Sequence, residues 1–264
     1  HIACLALGVT SGDIVWTSPN TFVASSNCAL YCGAEVDFVD IDPKTYNISC
    51  DRLEEKLILA KKLGRLPKVV IPVHFCGQPC DMRTIYELSK IYGFHIIEDA
   101  SHAIGAEYEA KKIGNGEFSD ITIFSFHPLK NITSFEGGII TTNNLSYMKR
   151  IVKLREHGIV RFRDKNKGLN WKYKISSIGY NFRMSEIHAA LGLSQFKNLN
   201  NIIKKRNKIA KIYFKFLKNN KNLILQKKIG FSAYHLFIIL LKKKINLKKK
   251  TKIIKFFINK NIML

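Results

Sequence analysis

Val69-Val-Ile-Pro-Val73 is apolar at every position, and a strand apolar on both faces must be covered on both sides, as in a parallel sheet sandwiched between helices. The same kind of segment recurs along the chain. Ile14 to Thr17, Ala34 to Val39 and His95 to Ile97 read as strands, the last delivering Glu98-Asp99. Between them lie helical stretches: Phe22 to Tyr31, stopped by Gly33; Asp51 to Leu63, with Leu53, Leu57 and Ala60 on one face; and Met82 to Tyr92. Two further strands, Ile121 to Phe126 and Ile139 to Thr142, precede a helix over Leu145 to His157 capped by Gly158. This alternation predicts an α/β layered fold with a mainly parallel sheet. Ligands in such sheets gather beyond the carboxyl ends of the strands, where Asp99 stands.

The remaining segments are less regular. Val160 to Lys174 is polar and basic without a period and is expected to be a loop. Ser176 to Arg183 leads into one long helical stretch, Ser185 to Lys218, supported by the spacing of Ile187, Leu191, Leu193, Ile202, Ile209 and Phe214. That stretch is expected to connect a large domain over 1–184 to part of a smaller one over 185–264, with one strand inside Phe231 to Leu241.

Charge distribution bears on function. Of 43 Lys and Arg, 20 fall in 197–264, which holds no Asp or Glu; the first 196 residues carry 23 basic against 20 acidic groups. A basic end could bind phosphate backbones, but it is interleaved with Ile, Leu and Phe at helical spacing and holds no nucleic-acid motif, so a solvated helix face, not a nucleic-acid partner, is the expectation. No apolar run reaches the roughly 18 to 20 residues that span a bilayer. Six cysteines (Cys4, Cys28, Cys32, Cys50, Cys76, Cys80) follow neither a zinc pattern nor a compact disulfide framework. Thiols in a reducing cytoplasm, and no metal, are expected.

The stretch ITIFSFHPLKNITSFEGGIITT, Ile121 to Thr142, sets two strands around a tight loop, with Lys130 inside it and Gly137-Gly138 at its end. A lysine where strands end and a glycine pair permits close approach suits covalent chemistry. Partial desolvation lowers an ammonium pKa and frees the amine as a nucleophile for a Schiff base. The alternative is an ordinary solvated lysine.

With Ser125 five residues before Lys130 and Glu136-Gly137-Gly138 after it, the loop resembles that of the pyridoxal-phosphate sugar aminotransferases of the DegT/DnrJ/EryC type, over roughly residues 1 to 200. The resemblance implies aminotransferase fold type I, with a mainly parallel seven-stranded sheet in the large domain plus an incomplete small domain. It implies pyridoxal 5'-phosphate as cofactor: Lys130 as the amine, Asp99 in EDASHA on the ring nitrogen, His102 on the phenolic oxygen and Ser125 on the phosphate. Phe22 and Ser101 would cover the two ring faces, and Asn181 in GYNFR would reach the phosphate of a neighbouring subunit's cofactor, hence a homodimer with shared sites. Lysine at position 130, where the related sugar dehydratases carry histidine, implies transamination from glutamate to C4 of a UDP-linked 4-keto-6-deoxy-N-acetylhexosamine. The family's phosphate-holding turn at the start of the first helix is lacking, and the true beginning is expected upstream of His1. A catalytically inactive relative, or an interaction protein whose basic end meets an acidic partner, is the competing reading.

Overall fold

The structure is a computed structural model and describes residues 1–161 and 172–262. In chain order its elements are α1 (Ile2–Ala6), β1 (Ile14–Thr17), α2 (Ala24–Leu30), β2 (Glu35–Phe38), α3 (Cys50–Lys62), β3 (Val69–Ile71), α4 (Met82–Tyr92) and β4 (His95–Asp99). A small hairpin, β5 (Glu107–Tyr108) and β6 (Lys111–Lys112), precedes β7 (Ile121–Ser125), β8 (Gly138–Thr141) and α5 (Leu145–Arg155). The pair β9 (Ile159–Arg161) and β10 (Tyr173–Ile175), then α6 (Glu186–Lys197), α7 (Leu199–Leu217), β11 (Leu223–Leu225), β12 (Ile239–Leu241) and α8 (Leu247–Asn259) complete the chain.

The central sheet has the order β2-β1-β3-β4-β7-β8, all pairs parallel except β7 with β8. Among the described residues it has six strands rather than seven, and Ile139 of β8 lies exposed at its edge. Strand alternation sorts the core into two layers. Val15, Val69, Ile71, Ile97 and Ile121 pack with Ala3, Ala6, Ala29 and Ile151 of α1, α2 and α5. Trp16, Val70 and Ile96 point the other way, onto Leu53, Leu57, Ile85 and Leu88 of α3 and α4. The apolar run that predicted cover on both sides therefore has it, although β3 stops at Ile71 because Pro72 has no N–H to continue the ladder. A third cluster, built on Ala100, Ala103, Phe124, Phe126 and Ile132, is covered by Leu199 and Ile203 of α7.

Caps set the helix boundaries. Ser49, Asp81, Asn144, Ser185 and Asn246 each accept a backbone N–H of the first turn, and Gly93 ends α4 in the left-handed region. The single helix expected over 185–218 breaks at Asn198, which caps α6 and opens α7. The stretch 160–174, expected as a loop, begins and ends in the antiparallel pair β9–β10; its middle, 162–171, lies outside the described residues. Helix α2 starts at Ala24, two residues later than expected, which leaves Phe22 outside it.

One buried network anchors the end of β4. Glu98 accepts from His74 Nε2 at 2.8 Å, Ser119 Oγ at 2.5 Å and Thr122 Oγ1 at 2.9 Å. Because Cys80 N–H donates to His74 Nδ1 at 3.0 Å, the imidazole carries its proton on Nε2 and is neutral. Burial alone would raise the Glu98 carboxyl, yet these donors, His74 first, hold it below the usual carboxylate range. We expect Glu98→Ala to strand three donors in the core and cost about 3 kcal/mol or more, read from urea denaturation at pH 7. A loss below about 1 kcal/mol would show that water reaches this network.

Candidate active site

Beyond the carboxyl ends of β3, β4 and β7 lies a cavity of about 590 Å³. Its floor is formed by strand ends: Asp99 closes β4 and Ser125 closes β7, in register through the Asp99–Ile123 pair. After Ser125 the chain turns sharply, Lys130 N–H returning to His127 O at 2.9 Å, and Lys130 borders the cavity. The loop 126–138 is held by its own residues. Phe126 N–H donates to Gly137 O and Ser134 N–H to Phe126 O, while the Thr133 and Ser134 hydroxyls donate to Phe126 O and Glu136 O. Gly138 is required here, since a Cβ would come within 2.6 Å of the Phe124 carbonyl oxygen.

Asp99 is 8% exposed and accepts from Ser25 Oγ at 2.6 Å and from Ser101 N–H at 3.0 Å, which leaves lone pairs on both carboxylate oxygens. His102 Nδ1 accepts Cys76 N–H at 3.2 Å, so the neutral ring offers Nε2–H as a donor. Burial, reinforced by the nearby Lys130 charge and opposed by Asp99, lowers His102 to about 4. Burial also depresses the Lys130 ammonium, against the attraction of Asp99. Among the described residues, Lys130 Nζ has no hydrogen bond or ion pair.

Six residues singled out in the sequence, Lys130, Asp99, His102, Ser101, Ser125 and Phe22, border this one cavity. Phe22 is 73% exposed, which rules out a place in the core and sets it on the cavity wall. Asn181 is apart: it is exposed and bridges Glu156 beyond α5, with Tyr180 N–H donating to Leu154 O. Two further residues were missed. Ser25, which holds Asp99, lies in the first turn of α2. His235 comes from far along the chain, and its ring lies 4.4 Å from that of His102, with Nδ1 buried and unpartnered. Burial and its neighbours His102, Lys130 and Arg206 lower His235 to about 3. The segment bearing it is fastened at Gly77, where Ala233 N–H donates to Gly77 O; a Cβ on Gly77 would lie 2.8 Å from His102 O.

A sequence model of the DegT/DnrJ/EryC1/StrS aminotransferase family matches residues 1–264. The chain belongs to that family. The match extends through the basic end, past residue 200, where the sequence resemblance fades. Among curated members, a Campylobacter jejuni UDP-4-amino-4,6-dideoxy-N-acetyl-beta-L-altrosamine transaminase is 40% identical over 243 residues, covering 91% of this chain and 61% of its own length. An Escherichia coli O157:H7 GDP-perosamine synthase is 35% identical, covering 91% and 62%. The chain thus spans about three-fifths of the length of these family members. Among solved structures, the Helicobacter pylori aminotransferase PseC, involved in the biosynthesis of pseudoaminic acid, superposes with a TM-score of 0.83 at 29% identity, covering 98% of this chain and 68% of PseC. An aminotransferase from Psychrobacter cryohalolentis gives 0.85 at 26% identity, covering 98% and 67%. Among the described residues no group of three or more His, Cys, Asp or Glu is placed to hold a metal, and no helix is long and apolar enough to cross a membrane.

The two imidazoles make a testable pH dependence. Both are neutral in the fold with lowered pKa values, about 4 and about 3, against 6.5 in the unfolded chain. Unfolding therefore takes up protons below pH 6.5, and the stability they contribute is complete above that value and lost as pH falls toward 4 and then 3. Replacing both by Asn should flatten the stability profile between pH 6.5 and 4, measured by urea midpoints. An unchanged slope would contradict the burial of these rings.

Proposed function

We infer that this chain carries the cofactor site of a pyridoxal-phosphate-dependent nucleotide-sugar aminotransferase. The observation that supports this most is the convergence of an unpaired, desolvated amine (Lys130), a buried carboxylate (Asp99) and a neutral imidazole donor (His102) on one largely apolar cavity. The cavity and its unsatisfied groups fit the family's cofactor. Lys130 would be the amine that holds it, Asp99 the partner of its ring nitrogen, His102 the donor to its phenolic oxygen and Ser125 a phosphate donor, with Phe22 and Ser101 against its two faces. Bound there, the group supplies an electron sink for the pair of electrons left when a substrate carbon loses a proton.

The chain's own residues do the rest. Partial burial lowers the Lys130 ammonium, against the attraction of Asp99, which would ease the uptake and return of a proton on Nζ. Asp99 keeps a ring nitrogen protonated, and Ser25 and Ser101 N–H fix the carboxylate's orientation. The cavity lining is largely apolar, which would strengthen the interactions of Asp99 and Lys130 with a bound group. Asn181, exposed and outside this cavity, would reach the phosphate of a partner subunit's cofactor, which would make the working form a homodimer. The large cofactor-binding unit is 1–184, and 185–264 supplies the connector and part of a small domain.

The acceptor is a UDP-linked 4-keto-6-deoxy-N-acetylhexosamine, a reading supported by the name of the Campylobacter relative, and the amino donor is glutamate, as the family resemblance implies. The sugar nucleotide of the Escherichia relative is GDP-linked, so competition between UDP- and GDP-linked 4-keto sugars is the informative assay. With glutamate and pyridoxal phosphate supplied, mass spectrometry should show the UDP-linked amino sugar and 2-oxoglutarate. Asp99→Ala should slow this by about 100-fold, about 3 kcal/mol of barrier. Turnover of the GDP-linked sugar alone would refute the substrate assignment, and undiminished turnover by Asp99→Ala the role of that carboxylate.

A further inference from the structure

Three of the six thiols gather where α1 meets α2, at the wall of the site cavity. Cys4, on α1, is 1% exposed, and its Sγ lies 3.7 Å from Cys28 Sγ on α2. Both residues border the cavity. The other neighbour, Cys32, donates its thiol to the Cys28 carbonyl at 3.3 Å and does not border the cavity. Cys28 also donates to the Ser25 carbonyl at 3.4 Å, and the Ser25 hydroxyl holds Asp99.

We propose that Cys4 and Cys28 are a redox modification site, closing to a reversible disulfide when a small hydroperoxide enters the cavity. The two sulfurs are already in contact at 3.7 Å within one cluster of side chains, and a disulfide would bring them to about 2.05 Å. The reaction balances with a hydroperoxide as oxidant. The Cys28 thiolate attacks the peroxide oxygen, breaking the O–O bond; with hydrogen peroxide this releases water and leaves a sulfenic acid. The Cys4 sulfur then displaces the sulfenic oxygen as a second water, forming the S–S bond, so two thiols and one peroxide give a disulfide and two waters. Cys28 is the nucleophile of the pair. The Cys4 thiol hydrogen-bonds to it and, against burial, lowers it to about 7, whereas burial pushes Cys50 and Cys76 up to about 12. Closure removes the Cys28 bond to Ser25, one helical turn from the hydroxyl that orients Asp99, so oxidation and the site share one contact.

The test uses the full chain without cofactor, and so does not depend on the reaction assigned above. After hydrogen peroxide and blocking of free thiols, cleavage ahead of Asp13 and Asp37 separates Cys4 from Cys28 while leaving Cys28 and Cys32 on one peptide. Non-reducing mass spectrometry should find 1–12 joined to 13–36, two hydrogens lighter than the sum and released by dithiothreitol. The link should persist in Cys32→Ser and vanish in Cys28→Ser. In Cys4→Ser, dimedone should trap a sulfenic acid on Cys28. At pH 7, iodoacetamide should label Cys28 of the unmodified chain at least ~10-fold faster than Cys50, a comparison needing no variant. A link that survives Cys28→Ser assigns the bond to Cys32, and an absent link with slow labelling of Cys28 shows an inert core thiol; either overturns the proposal.

Discussion

Two adjacent carboxylates at the end of one buried strand point opposite ways, and the site depends on that arrangement. Glu98 turns into the core and is satisfied by His74, Ser119 and Thr122; Asp99 turns into the cavity and is only partly satisfied, by Ser25 and Ser101. Pleating sends neighbours to opposite faces, so a fully bonded Glu98 fixes where Asp99 must project. An unpaired buried charge is costly, and the incomplete partnering of Asp99 is tolerable because Lys130 stands across the same space. The remaining lone pairs are what a ligand's ring nitrogen can use.

Residues beyond α6 contribute more to this cavity than a connector would. Leu199 and Ile203 of α7 cover the cluster beneath the lysine loop, and Arg206 donates to the Tyr234 and His235 carbonyls. That segment is latched at Gly77, whose φ of +94° and lack of a Cβ let two backbones meet. His235 is thereby set against His102. Two imidazoles this close cannot both carry charge at modest cost, so the pairing favours the neutral His102 that keeps Nε2–H as a donor.

Much of the frame was legible in the sequence because periodicity reports burial. The all-apolar run at Val69 announced a doubly covered strand, and Leu53, Leu57 and Ala60 marked the face of α3 that is buried. The lysine loop was legible because its turn chemistry is local: Ser125, Thr133, Ser134 and the glycine pair bond within 125–138. Contacts made across the fold were not. Nothing near His235 or Ser25 signals their partners, since each is defined by a residue from another element. The break at Asn198 was hidden because apolar spacing continues through it, and β9–β10 because short exposed strands carry no period. Cysteine spacing was silent in the same way, since Cys4 and Cys28 come from different helices and only folding places them side by side.

The central claim is that Lys130 is distinguished from every other lysine by its place at the strand ends. Incubating the chain with pyridoxal phosphate, reducing with borohydride and mapping the labelled peptides measures this directly, because a basic chain offers many exposed amines as internal controls. The account predicts that substoichiometric label concentrates on Lys130, whose amine is depressed by burial and unpaired. Label spread over the lysines of 197–264, with Lys130 unmodified, would contradict it.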